Sequence, residues 1–383
     1  MALHRYSGLV ILLFLGWAAL TGSALVFVRP LDEALNADLF EQTAPAGTPA
    51  VDTLVDRFRT AHPEYSVEYF PLAVPAESRI PVTVKARPAV TSGVSPPVTP
   101  AVTQVFLDRT TGEIAGTRSH EPALSRRGFA EWLIESHYTL MLGDYGRWFM
   151  GVIALAWVIS NGIGAYLTFP VRGAFWKQWK RTWRFSFKSP FPRQMLDLHR
   201  ASGLWLFLPL MLLALTSVCL NFFSEGYAPV VEWAAPHEEL PLPKVTPQGP
   251  LTFAKAVDQA REVADGFGDG WQPATVLFDA KEGTIGVTLT DNGLLNYHKL
   301  GPVYLFFDAV TGKLDEVKDP YRGDRNLVGY RLLYPVHSGR IAGVPTLVLV
   351  FVTGLATFGL CITGVWLWWK RRRVRKSAAG RKA

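Results

Sequence analysis

Four stretches of this chain stay apolar for about twenty residues, the length a helix needs to cross the hydrocarbon core of a bilayer. They lie at about 6–28, 147–169, 200–223 and 343–369. The pattern divides the chain into eight parts: a membrane helix in 1–28, an outer segment 29–140, a helix in 141–169, a loop 170–198, a helix in 199–223, a second outer segment 224–338, a helix in 339–369 and a tail 370–383. The first run resembles a cleaved signal in position only. It is long, lacks a clear small-x-small cleavage site, and has a counterpart at 200–223 in mid-chain, where no signal is cleaved. It is read as a retained helix.

The two outer segments carry different periods. In the first, Val51, Leu54, Val55 and Phe58 recur at helical spacing and stop at Pro63. Alternating, strand-like stretches follow at 65–70, 81–86 and 102–107, and then Asp108-Arg109-Thr110-Thr111-Gly112 marks a turn between strands. The second segment repeats this order: a helix over 253–263, strands over 275–278 and 284–290, and a matching turn at Asp308-Ala309-Val310-Thr311-Gly312. The stretch 87–100, rich in Pro, Val, Ser and Thr, reads as an extended loop. The fold class predicted is membrane α+β: four transmembrane helices and two outer units, each a helix with an antiparallel sheet.

Charge then orients the chain. The 383 residues are 49% hydrophobic with a net charge of +7, and the positive charge is localised. The loop 170–200 holds Arg172, Lys177, Lys180, Arg181, Arg184, Lys188, Arg193 and Arg200 against Asp197 alone, and the tail is basic with no acid. Both outer segments are acidic on balance. Lys and Arg stay on the cytoplasmic side, so both termini and the 170–200 loop are expected inside, with the two large segments outside. The basic balance is a topology signal and implies no nucleic acid. Only Cys219 and Cys361 occur, both in apolar runs, which excludes a disulfide-stapled or cysteine-ligated outer domain.

Candidate chemistry sits at the mouths of the helices. Leu3-His4-Arg5-Tyr6-Ser7-Gly8-Leu9 recurs as Leu198-His199-Arg200-Ala201-Ser202-Gly203-Leu204, differing only at Tyr6 against Ala201. Residues four apart share a helix face, so Gly8 lies over His4 and Gly203 over His199, leaving room for a flat ligand such as a haem bound through Nε2. A single copy is equally read as a headgroup-level histidine beside a snorkelling arginine; the duplication favours the ligand. The closing helices match more loosely, with His137 six residues before Gly143 and His337 six before Gly343. No nucleotide-binding glycine loop, Ser-His-Asp arrangement or His-Glu-x-x-His motif is present.

The helix–strand–Asp-x-x-Thr-Gly units resemble PepSY domains. Combined with the His-Arg-x-x-Gly and His-(x)5-Gly helices, nearly the whole chain resembles the PepSY-associated transmembrane proteins of bacterial inner membranes. Within them it is most similar to the ferrisiderophore reductases. That resemblance implies two non-covalent b-type haems, iron ligation by His4, His137, His199 and His337, and reduction of Fe(III) in a periplasmic siderophore complex. No residue in the sequence encodes the substrate.

Each b-type haem takes two imidazoles across one iron, buried between helices. By depth, His4 pairs with His199 and His137 with His337. Arg5 and Arg200 follow the first pair and Arg147 and Arg340 the second; these arginines are candidates for the haem propionates or for lipid phosphate. About 24 residues, ~36 Å of helix, separate His199 from the far end of its run. Breaks at Gly143–Gly146, Gly339 and Gly343 would let the outer histidines fold back, and Trp157, Trp205 and Trp366 are candidates to lie between, though packing is their default role. His62, His120, His237 and His298 read as surface or turn residues. Trp176, Trp179 and Trp183, interleaved with basic residues, predict a helix lying in the membrane interface, with docking of an acidic cytoplasmic reductase as the sharper reading. The electron donor is expected to be cytoplasmic or a quinone. The rivals are a haem carrier serving another periplasmic acceptor, and a non-enzymatic PepSY sensor or assembly factor without haem.

Overall fold

The computed structural model describes residues 2–42, 51–75, 77–86, 102–237, 241–247, 249–279, 283–293 and 298–379. The main elements, in chain order, begin with helix α1 (Ala2–Leu25), helix α2 (Val51–Ala61) and strands β1 (Tyr65–Pro71), β2 (Ile80–Ala86), β3 (Val102–Leu107) and β4 (Ile114–Ser119). Helices α3 (Phe129–Tyr138), α4 (Gly143–Tyr166), α5 (Phe175–Thr182), α6 (Phe191–Trp205) and α7 (Phe207–Asn221) come next. Then come α8 (Phe253–Asp265), strands β5 (Gln272–Asp279), β6 (Thr284–Thr290), β7 (Val303–Asp308) and β8 (Leu314–Lys318), and helices α9 (Arg325–Ser338) and α10 (Val344–Ala379). The loop expected at 87–100 lies outside the described residues.

These elements form two compact units: a helical one made of 1–28, 133–231 and 332–383, and a sheet-bearing one made of 29–132 and 232–331. The sequence suggests two outer domains bounded at 140, 224 and 338. The two segments instead share one unit and one antiparallel sheet of eight strands, in the order β4-β3-β2-β1-β5-β6-β7-β8. The join is the β1–β5 pair, where Phe70 faces Val276 and Pro71 faces Thr275. Helices α2 and α8 supply the core's other layer through residues at i, i+3 and i+4: Leu54, Val55 and Phe58 from one, and Phe253, Ala256, Val257 and Ala260 from the other, all buried against Val84, Val276, Val287 and Leu305. Asp56 of α2 ties the helices together by accepting the main-chain N–H of Phe253 and Ala254 at the start of α8, at 3.1 and 3.2 Å. A carboxylate satisfies unpaired donors there and complements the helix dipole.

The two Asp-x-x-Thr-Gly turns have one construction. Asp108 Oδ1 accepts the N–H of Thr110 and Thr111, and Asp308 Oδ1 accepts those of Val310 and Thr311. Both carboxyls are held below the usual carboxylate range, chiefly by the Thr111 and Thr311 N–H donors. Gly112 and Gly312 close the turns with φ of 78° and 74°. That is the left-handed region, which glycine enters freely.

In the helical unit, Leu3–Leu25, Gly143–Tyr166 and Val344–Val374 are each long and apolar enough to cross a membrane. The third expected span differs from a straight helix over 199–223. Helix α6 starts earlier, at Phe191, and meets α7 at a 69° bend around Leu206. Pro209 explains the break: it has no N–H for the Trp205 carbonyl, and its ring crowds that oxygen. If the bent pair is one span, the helical unit has four. Helix α1 lies closely along α10, where a Cβ on Gly354 would overlap Ser23 Oγ. Small residues let the two backbones approach. Cys219 and Cys361 are both free.

Candidate functional site: two histidine pairs

The structure brings His4 against His199 and His137 against His337. The ring centres stand 6.4 Å apart in each pair, with the planes inclined by 63° and 48°. Two imidazoles sharing one metal through Nε2, at about 2 Å per metal–nitrogen bond, place their ring centres about 6–6.5 Å apart. Both pairs therefore have the separation of a bis-imidazole site.

Every one of the four rings is anchored at its other nitrogen by a hydroxyl from a different helix. Nδ1 of His4 lies 3.1 Å from Ser160 Oγ of α4, and that of His199 2.9 Å from Thr363 Oγ1 of α10. His137, at the end of α3, reaches Thr21 Oγ1 of α1 at 3.0 Å, and His337, at the end of α9, reaches Thr216 Oγ1 of α7 at 2.9 Å. Small residues let the rings approach: a Cβ on Gly22 would come within 2.8 Å of the His137 ring, one on Gly164 within 3.2 Å of His4, and one on Gly364 within 3.6 Å of His199. Burial pushes His137 down to about 4 and His337 to about 3. Both rings are therefore neutral, the form that ligates a metal.

Beside the first pair opens a cavity of about 300 Å³, lined by His4, Gly8, His199 and Gly203 among others. A Cβ on Gly8 would meet nothing within 4 Å, and one on Gly203 only Leu360 at 3.9 Å, so the expected open face beside each histidine is present. Arg5, Arg200 and Arg371 also line the cavity. Asp197 is buried and holds Arg200 at 2.9 Å, yet the buried Arg200 Nε has no hydrogen-bond partner. An apolar cavity with two imidazoles, a cluster of guanidinium groups and an orphaned donor fits a flat, metal-bearing, carboxylated ligand such as haem. Arg371 was not apparent in the sequence because it is one of several basic residues following the last span.

The arginines of the other pair are placed differently. Arg147 is engaged by Glu225 at 2.7 Å and by the Asn221 carbonyl, which ties α4 to the end of α7. Arg340 is half-buried in the turn after His337. Tight reversals return both outer histidines to the helices. Leu140, Met141 and Gly143 all have positive φ, and a Cβ on Gly339 (φ +77°) would sit 2.5 Å from the Thr346 carbonyl. Trp17 Nε1 donates to the Ser136 carbonyl, docking the end of α3 on α1. Thr21, the partner of His137, lies on the same helix as His4 and seventeen residues further along. That spacing is ~25 Å of helix, shorter than the ~36 Å that the full run suggests. His199 and Thr216 have the same spacing in sequence across α6 and α7.

Between the two levels Trp157 is buried with Ile11, Ile153, Leu210, Leu213 and Ala214. Trp205 is 69% exposed and donates to the Trp183 carbonyl, and Trp366 packs edge-on to Phe191. In the sheet-bearing unit, His62, His120, His237 and His298 each pair with a carboxylate at 3.0 Å. Among the described residues no group of three or more His, Cys, Asp or Glu side chains forms a metal cluster.

Membrane-length helices joined in one chain to an antiparallel eight-stranded sheet define a membrane α+β protein. The chain belongs to the family of the PepSY-associated TM region, which it matches over residues 1–371. A comparison with curated proteins finds no match.

Proposed function

We propose that this protein is a two-haem membrane reductase that delivers electrons to Fe(III) held in an extracytoplasmic siderophore complex. The observation that carries the reading is the pair of bis-imidazole arrangements, each with ring centres 6.4 Å apart and each ring hydrogen-bonded at Nδ1. When bound, a b-type haem supplies reversible one-electron chemistry at its iron.

The chain's own residues hold and shape those sites. His4 with His199 and His137 with His337 would hold the two haems through their imidazoles. Arg5, Arg200 and Arg371 offset propionate charge at the first site. Ile11, Trp157, Leu210 and Leu213 keep water out of the space between the sites. Excluding water makes the electrostatics inside that space stronger. Arg147 supports the second site indirectly, by fixing α4 to α7. On the charge rule, the basic loop and tail face the cytoplasm and the sheet-bearing unit faces outward. The two helix-plus-four-strand halves of that unit are then duplicated PepSY-like modules.

Each ferric ion takes one electron and becomes Fe(II). A cytoplasmic one-electron donor supplies them singly; a quinol oxidised to quinone supplies two and releases two protons, serving two ferric complexes. Hard oxygen ligands hold Fe(II) less tightly than Fe(III), so reduction frees the metal without a nucleophile or general acid. The test is to reduce the purified protein with dithionite, remove the excess, and add a ferric hydroxamate complex under anaerobic conditions with a ferrous chelator present. Rapid reoxidation with stoichiometric Fe(II) supports the reading. A reduced protein that ignores ferric complexes but is reoxidised by another acceptor assigns it as a carrier, and a colourless preparation removes the redox function altogether.

A further inference from the structure

Resting on the haem reading above, we infer that Thr21, Thr216 and Thr363 are positioning residues that fix His137, His337 and His199 with the proton on Nδ1 and Nε2 bare, while Ser160 anchors the His4 ring. The argument is a count of protons. A threonine hydroxyl has one. Thr21 Oγ1 lies 2.8 Å from the Trp17 carbonyl, Thr216 Oγ1 2.8 Å from the Leu212 carbonyl, and Thr363 Oγ1 2.9 Å from the Gly359 carbonyl, each four residues back on its own helix. A carbonyl oxygen only accepts, so the hydroxyl proton must lie between the two oxygens. Turning it toward the imidazole would leave two acceptors facing each other at 2.8–2.9 Å in an apolar bundle. Each hydroxyl therefore meets its histidine with a lone pair, and the proton in that bond belongs to Nδ1.

A neutral imidazole with hydrogen on Nδ1 has an unprotonated Nε2. In each pair that is the nitrogen free to bind metal. Nothing in the sequence motifs around the histidines contains these hydroxyls, because they come from distant helices. Ser160 is 156 residues from His4, Thr21 116 from His137, Thr216 121 from His337 and Thr363 164 from His199.

A hydrogen bond at the distal nitrogen makes the ligand more basic and fixes its rotation. A more basic imidazole favours ferric over ferrous haem iron. Thr216→Val keeps the side-chain shape and deletes the acceptor, whereas Thr216→Ser keeps it. In the full-length purified protein, spectroelectrochemical titration of the valine variant should show one haem shifted about tenfold toward its reduced form at fixed potential, a rise of about 59 mV for a one-electron couple. The other haem should not move, and the serine variant should match the parent. Thr363→Val should shift the other haem in the same direction. Loss of one haem in Thr216→Val with retention in Thr216→Ser supports the inference equally. It is overturned if both valine variants keep two haems at parental potentials, or if serine and valine variants lose the haem alike, since shape rather than the hydroxyl would then be what matters. A parent protein without haem overturns it differently, by removing the reading it rests on.

Discussion

Thr363 Oγ1 stands 2.9 Å from His199 Nδ1, joining α10 to α6 across 164 residues of sequence. The same relation recurs at His4, His137 and His337 with hydroxyls of three other helices. Each histidine is thus held by a helix other than its own, and the two members of each pair by two different ones. Such a site forms only when the bundle is assembled.

The cavity beside the first pair separates folding from ligand binding. Gly8 faces open space, so Gly8→Leu meets no protein atom at its Cβ and should leave the thermal midpoint of the ligand-free protein nearly unchanged. It should nevertheless remove one haem of two, because the new side chain fills the space beside His4. Pyridine haemochrome stoichiometry per protein checks this; two haems retained in Gly8→Leu would show that the ligand does not use the cavity.

Two glycines against histidine rings should respond unequally to one added methyl. A Cβ at Gly22 comes within 2.8 Å of the His137 ring, a distance that forces a shift, whereas one at Gly364 sits 3.6 Å from His199, an ordinary contact. Gly22→Ala should deplete the His137–His337 haem and broaden its redox titration. Gly364→Ala should behave like the parent. Equal behaviour of the two variants, measured by haem content and potential, would contradict this packing.

Arg147 and Arg200 look equivalent in sequence, each near a histidine motif, and the structure gives them different partners. Arg147→Ala should lower the thermal midpoint by breaking the clasp to Glu225 and the Asn221 carbonyl, with haem content kept. Arg200→Ala should weaken retention of the haem beside the cavity, with dissociation to apomyoglobin accelerated several-fold. Transfer kinetics together with a melting curve distinguish the two effects.

Much of this was legible in the sequence, where the cause is local. The Asp108 and Asp308 turns are built by a carboxylate on its own next residues, so the motif alone specifies them. Strands β1 and β6 follow from alternation, and the histidine pairs from equal depth of equivalent motifs. The pairing of β1 with β5 was not legible, because it joins Phe70 and Pro71 to Val276 and Thr275, and a contact so distant in the chain leaves no local trace. Hydropathy over 200–223 masked the bend at Leu206 even though Pro209 signals it. The four hydroxyls were missed for a related reason: which face of a buried helix meets which histidine depends on helix rotation, and an apolar run carries no periodicity to fix it.

The orientation of the chain is testable by itself. Reporter fusions after Val28 and after Phe223 should report the periplasm, and fusions at Lys180 and Lys376 the cytoplasm. A periplasmic signal at Lys180 would invert the protein and exchange the faces that the two sites serve.

The most direct test is haem-resolved spectroscopy of the four single histidine variants, prepared as full-length protein. His4→Ala and His199→Ala should each remove the same one of two haems, and their combination should remove no more; His137→Ala and His337→Ala should each remove the other. Depletion of one and the same haem by His4→Ala and His337→Ala, or two haems in every variant, would contradict the pairing on which the proposed function rests.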